Sequence, residues 1–184
     1  PANRPQQNFH QGFESFDSYH TFRKSDAVLD SIQGFMERHA GTRFFLYLHL
    51  VDPHEQYELS QSARERVDLP AEPPEGMPDR PFRQFRGALL NGRGHDHMGN
   101  SMVDEYMPAE FAEWMHHSYD AAVATADEYV GEILDKLSEL ELTEETIIVF
   151  TSDHGEELLE HGHLAHGQSL HEELVRVPLI FAGP

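Results

Sequence analysis

The chain has 184 residues, 39% hydrophobic and 25% charged, with 13 Lys and Arg against 33 Asp and Glu, a formal charge of −20. That length supports one folded domain with a sizeable core. That charge argues against nucleic acid and anionic membrane surfaces as partners, because both require a local excess of Lys and Arg.

Cysteine is absent, which removes disulfides, thiolate metal sites and a cysteine nucleophile from these residues. No apolar run approaches the roughly 20 residues of a membrane span. The opening PANRPQQNFH lacks a basic stretch followed by an apolar one, so no secretory leader is expected there. The compartment stays open between periplasmic or secreted and cytoplasmic.

Residues 1–24 are polar and aromatic and read as irregular structure packing a few Phe side chains. Ser25 has the character of an N-cap, with Val28, Leu29, Ile32, Phe35 and Met36 at helical spacing behind it and Gly41 as the stop. Residues 44–50, FFLYLHL, form a short continuous apolar run, which predicts a buried strand. Residues 55–108 carry Pro70, Pro73, Pro74, Pro78, Pro81 and Pro108 and a Gly-rich tract, RGALLNGRGHDHMGNS. This segment is expected to be an irregular insertion near the mouth of a site.

From about 109 to 140 the spacing of Phe111, Met115, Tyr119, Val123, Ala126, Val130, Ile133, Leu134 and Leu137 predicts one long helix. The turn ELTEET leads to a second buried strand, TIIVFTS at 146–152, and VPLIFAG at 177–183 predicts a third. The alternation implies an α/β fold, a mostly parallel sheet with helices on its faces.

Ligands of open parallel sheets bind beyond the carboxyl ends of the strands. FFLYLHL runs into Asp52 and His54, and TIIVFTS runs into Asp153 and His154. Neighbouring parallel strands would bring both tips to one edge. At such a tip a carboxylate and an adjacent imidazole can reach one divalent cation. The competing reading makes Asp153 the cap of a helix starting at Gly155, with His154 merely hydrogen-bonded.

His161, His163 and His166 form an HxHxxH pattern, read here as a loop of solvated histidines in a chain carrying 14 of them. Glu156, Glu157 and Glu160 read as a solvated helix face, with acid in the first turn favoured by the helix dipole. His95 and His97 are not positioned by any strand tip, and His116 and His117 lie on the long helix. A Ser152, His154 and Asp52 triad lacks a GxSxG elbow and an oxyanion loop.

FTSDHGEELLEHG followed by HGQSLHEELVRVPLIFAGP resembles the C-terminal part of the sulfatase catalytic domain, within the alkaline-phosphatase-like superfamily. FFLYLHLVDPHEQY resembles that family's strand and Pro-His pair, YDAAVATADEYVGEILDKL its long helix, and GFESFDSY a segment just upstream. The likeness runs in family order, least in 58–108. It implies an incomplete alkaline-phosphatase-like α/β domain over residues 1–184, with helices on both faces of the sheet and 55–108 as its insertion.

The resemblance implies that Asp153 and His154 bind a divalent cation, usually Ca2+, and that His54 contacts the sulfate or phosphate group. His166 takes the place of a Lys or His that touches the anion or leaving group. Counting forward from Asp153 gives His166, and counting back from Glu172 and Glu173 gives an offset of one residue. The implied activity is hydrolysis of small sulfate esters.

Phosphodiesterases, phosphonate hydrolases and phosphoethanolamine-type transferases share the metal motif and stay open, as does a non-catalytic metal-binding module. The family nucleophile is a formylglycine made from Cys or Ser in a (C/S)xPxR motif. The chain has no Cys, and no Ser stands two positions before a Pro. The nucleophile is therefore expected outside this chain, which is read as an internal fragment, inactive and weak in metal affinity by itself.

Overall fold

The computed structural model describes residues 8, 10–17, 25–54, 57, 59–88 and 107–184. In chain order these form α1 (Ser25–His39), α2 (Gln61–Arg66), α3 (Pro81–Ala88), α4 (Ala109–Glu139), β1 (Ile148–Thr151), β2 (Glu157–Leu158), β3 (Leu164–Ala165), α5 (Glu172–Val175) and β4 (Leu179–Ala182). His95 and His97 lie outside the described residues, as does most of the aromatic segment before α1.

α4 organises the rest. Its 31 residues span about 46 Å at 1.5 Å per residue, long enough to serve two separate cores. Phe111 and Met115, near its start, join Phe82 and Phe85 of α3, Met107, Leu158 and Leu164. Leu137, near its end, joins Ile32 and Met36 of α1 and Leu142, with Phe44, Leu46, Leu48 and Ile148 packed around them. The three- and four-residue spacing supplies Phe111, Met115 and Leu137 at the two ends of the buried face, whose middle is made of Ser118, Ala121, Ala122 and Thr125, while Val123 and Leu134, expected on the same stripe, stand exposed.

The helix stops without a glycine. Glu141 takes the left-handed conformation, φ 58°. Its N–H donates to Ser138 O at 3.0 Å, and Leu142 N–H donates to Leu137 O at 2.9 Å. These are the paired bonds of a Schellman motif, and Leu137 and Leu142 supply its apolar contact.

Polar groups dock α2 against the middle of α4. Ser60 Oγ accepts from Ala63 N at 3.0 Å, capping α2, and donates to Glu128 Oε2 at 2.6 Å. Ser62 Oγ donates to Glu128 Oε1 at 2.7 Å. Ser60 N donates to Thr125 Oγ1 at 3.1 Å. These two hydroxyl donors, with the nearby Arg66 charge after them, hold the Glu128 carboxyl below its ordinary range.

Three expectations change. First, the sheet is not parallel among the described residues. β1 pairs antiparallel with β4, in the register Ile148↔Ala182 to Thr151↔Leu179. A parallel return needs a crossover running the length of the sheet. The chain between Thr151 and Leu179 instead forms a hairpin and one helical turn, so it re-enters from the end it left.

Second, residues 44–50 are not hydrogen-bonded into either sheet. They run extended, with Phe44, Leu46 and Leu48 half-buried against the α1–α4 core and Phe45 and Tyr47 exposed. The strands are also not buried on both faces: Val149 is 55% exposed, Ile180 55% and Phe181 68%. Apolar composition declares what a strand suits, and cover on both faces needs layers that the described residues do not supply.

Third, residues 55–108 are not wholly irregular. They contain α2 and α3 and contribute Ala63, Leu69, Phe82, Phe85 and Met107 to the interior. Pro81 sits at the first position of α3, where its missing N–H costs nothing.

Two outcomes are expected. Glu141→Gly relieves the left-handed penalty and raises unfolding free energy by about 0.5–1 kcal/mol, measured by urea denaturation. Glu128 stabilises the fold above the ordinary carboxylate pKa, and that contribution disappears as pH falls through its lowered folded-state value. Glu128→Gln should therefore flatten the dependence of the urea midpoint on pH between roughly pH 3 and 6.

Candidate active site

β1 ends at Thr151 and the chain turns sharply away from the sheet. Ser152 Oγ donates to His154 O at 2.6 Å, and His154 N donates to Asp153 Oδ1 at 3.0 Å. Both bonds fold the tip on itself and leave the Asp153 carboxylate 69% exposed. His154 Nδ1 lies 2.8 Å from Gly155 O. A carbonyl only accepts, so Nδ1 carries the proton, and in the neutral ring Nε2 keeps its lone pair. Nε2 lies 3.9 Å from Asp153 Oδ1.

Gly155 follows because nothing larger fits: its N–H donates to Leu174 O at 2.8 Å, and a Cβ there would collide with the carbonyl oxygen of Glu173. This ties the β1 tip to α5.

The residues after Gly155 form a β-hairpin, not the helix face or Asp153-capped helix considered from sequence. β2 and β3 pair Glu157 with Ala165 and Leu158 with Leu164. Leu159 N–H donates to His163 O at 2.9 Å, and the turn between them uses positive φ at Leu159 (84°) and Gly162 (71°). The side chains then sort into two groups, with Ala165 taking positive φ (69°) between Leu164 and His166. Leu158 and Leu164 enter the core of α3 and α4, and Glu156 and His166 flank them on the same face.

Glu156 and Glu157 are consequently buried, 8% and 0% exposed, where the sequence reading had them solvated. Glu160 is exposed and accepts from Leu158 N at 2.6 Å.

The HxHxxH histidines do not act together. His166 Nδ1 bonds Glu156 Oε1 at 2.9 Å, and its ring lies 4.2 Å from that of His154 and 5.5 Å from that of His54, centroid to centroid. His161 and His163 turn to the opposite side, toward Glu157. His54 arrives from the end of the 44–50 segment, just after the cis Asp52–Pro53 bond. The structure thus brings His54, His154 and His166 together beside Asp153.

Burial pushes the Glu156 carboxyl above its ordinary range, against the hydrogen bond from His166 and the charges of His154 and His54. Burial also raises Tyr119, with the Glu156 charge adding to it. Arg86 Nη2 donates to His166 O at 2.8 Å, so α3 holds the segment that carries His166. Glu156 and Arg86 were not singled out from sequence. Glu156 sat in a Glu- and Leu-rich run that looks helical, and the Arg86 bond spans 80 residues.

The sulfatase family profile matches residues 2–184. The chain belongs to the sulfatase family. It is 31% identical over 148 residues to human iduronate 2-sulfatase, covering 77% of this chain and 26% of that protein. It is 42% identical over 66 residues to mouse arylsulfatase K, covering 36% of this chain and 12% of that protein. A solved 2-O GAG sulfatase is 20% identical with a TM-score of 0.43, covering 84% of this chain and 29% of that one. This sulfatase-family chain therefore spans about a quarter or less of the curated relatives it matches.

Gly155→Ala should lower stability by about 1–3 kcal/mol, the usual cost of overpacking. Thermal unfolding of the variant against the parent measures it.

Proposed function

We propose that these residues form part of the catalytic domain of a metal-dependent sulfuric ester hydrolase acting on a small anionic ester. The observation that supports this most is the meeting of His54, His154 and His166 beside Asp153 in a chain of the sulfatase family.

In this reading Asp153 and His154 hold a divalent cation, Ca2+ by family resemblance. Their donors suit one: Asp153 Oδ1 and the lone pair on His154 Nε2 are 3.9 Å apart, a gap that metal bonds of about 2.4 Å span. Calcium takes about 6–8 ligands, mostly oxygen, so this pair supplies only part of the sphere. Bound there, the cation would hold the sulfate oxygens and offset the negative charge that grows at the transition state.

The histidines have separate tasks. His54 donates a hydrogen bond to the sulfate. Glu156 fixes the His166 ring through Nδ1, so Nε2 faces the ester and can protonate the departing oxygen. Arg86 keeps that segment in place. The formylglycine that attacks sulfur is expected outside these 184 residues, which contain no Cys. The isolated chain should then show no turnover.

Calcium titration of the full-length protein, paired with aryl and sugar sulfate assays, tests the scheme. Asp153→Ala should weaken calcium binding at least about tenfold. His166→Ala should keep calcium affinity and lower kcat by about 100-fold or more. Unchanged calcium affinity in Asp153→Ala removes that residue from the site. Hydrolysis of phosphate diesters with sulfate esters untouched would move the assignment to a phosphoryl enzyme of the same superfamily.

A further inference from the structure

The other face of the β2–β3 hairpin carries a second cluster that the scheme above does not use. At its centre is Glu157, whose side chain is 0% exposed. Oε2 accepts from Ser169 Oγ at 2.8 Å. Oε1 is buried and has no hydrogen-bond partner among the described residues. Around it stand His161 Nδ1 at 3.9 Å and His163 Nδ1 at 3.6 Å. The His171 ring stacks on that of His161, centroids 3.8 Å apart. Glu173 Oε2, also buried without a hydrogen-bond partner, lies 3.4 Å from His161 Nδ1.

A carboxylate oxygen withdrawn from water needs a donor or a cation. A protonated imidazole would satisfy it at about 2.7–2.9 Å, and the nitrogens at 3.6 and 3.9 Å stand beyond that. The 3.9 Å between Glu157 and His161 instead suits donors facing one ion. Ligands about 2.0–2.1 Å from a tetrahedral dication lie about 3.3 Å from one another. Glu157, His161 and His171 each offer one ligand atom, all within 4.8 Å of one another. Binding one ion requires the two stacked rings, 10° from parallel, to rotate out of their stack so that both lone pairs converge.

We propose that Glu157, His161 and His171 form a second metal site, separate from Asp153 and His154, for a transition-metal dication such as Zn2+. Two imidazole nitrogens and one carboxylate select a borderline ion of this kind over Ca2+, which prefers a shell of oxygens. Glu173 stands beside the site as a further oxygen donor.

The site cross-links two elements: Glu157 and His161 belong to the hairpin, and His171 caps α5. Glu156 and His166 ride on the same hairpin, facing the other way. The role is structural, fixing the hairpin that positions them, and no reacting group touches the ion.

The test uses the full-length protein, stripped with chelator and held in saturating Ca2+ to fill a calcium site at Asp153. Titration with Co2+ should give the visible bands of a four-coordinate ion at one equivalent, displaced by Zn2+. His161→Ala and His171→Ala should each weaken Co2+ at least about tenfold and leave calcium affinity unchanged. Asp153→Ala should leave the Co2+ bands intact.

Replacing the fully buried Glu157 also disturbs the core, so the two histidine variants carry the test. Three results would each overturn the site: no Co2+ bands in the parent at millimolar Co2+, Co2+ affinity unchanged from the parent in both histidine variants, or loss of the bands in Asp153→Ala alone. None depends on sulfatase activity.

Discussion

The buried face of α4 is the constraint on which the other elements depend. One helix of 31 residues serves two cores, one with α3 and the β2–β3 hairpin, the other with α1 and residues 44–48. Its two ends are fixed differently. Phe111 and Met115 anchor the first in a cluster rich in aromatic and Met side chains. The Schellman turn anchors the second, where Glu141 accepts a left-handed backbone so that Leu142 can return to the core. That turn also aims the chain into β1, so the position of the β1 tip follows from where α4 stops.

The hairpin converts this packing into chemistry. Leu158 and Leu164 are drawn into the α3–α4 core. Once they are fixed, the adjacent carboxylates part: Glu156 meets His166, and Glu157 lies toward His161 and His163. Two neighbouring acids, crowded in sequence, would repel if both faced one space. Separated by the strand, each instead meets its own imidazoles. Burial raises the cost of leaving either carboxylate without a partner, so both clusters are also restraints on the hairpin. Gly155 and Arg86 hold the flanking backbone from two further elements, α5 and α3.

Legibility followed the length of each signal. The long helix was readable nearly to the residue, because its periodicity repeats over many turns and local spacing alone produces it. α1 was readable for the same reason. The β2–β3 hairpin was not: its strands have two residues each, too few for an alternating pattern, and EELLE has the composition of a helix. The strand direction was also misread. An apolar run suits a strand but carries no arrow, and the antiparallel return of β4 depends on the chain between remaining at one end of β1. The three HxHxxH histidines looked like one group, and their division into two required knowing that a strand pair lies beneath them.

The sequence by itself determined the extent of α4, the helix α1, the strand character of 148–151 and 179–182, and the family through its SDHG and RVPLI runs. Each of these is a local property, set by side chains a few positions apart. Only the tertiary structure decided which residues face one another. It brought His54 from the end of the 44–50 segment to His166 near the β1 tip, buried Glu156 and Glu157 on opposite sides of a hairpin, and placed Arg86 against a carbonyl 80 residues away. Such contacts depend on how whole elements pack, and no short-range pattern encodes that.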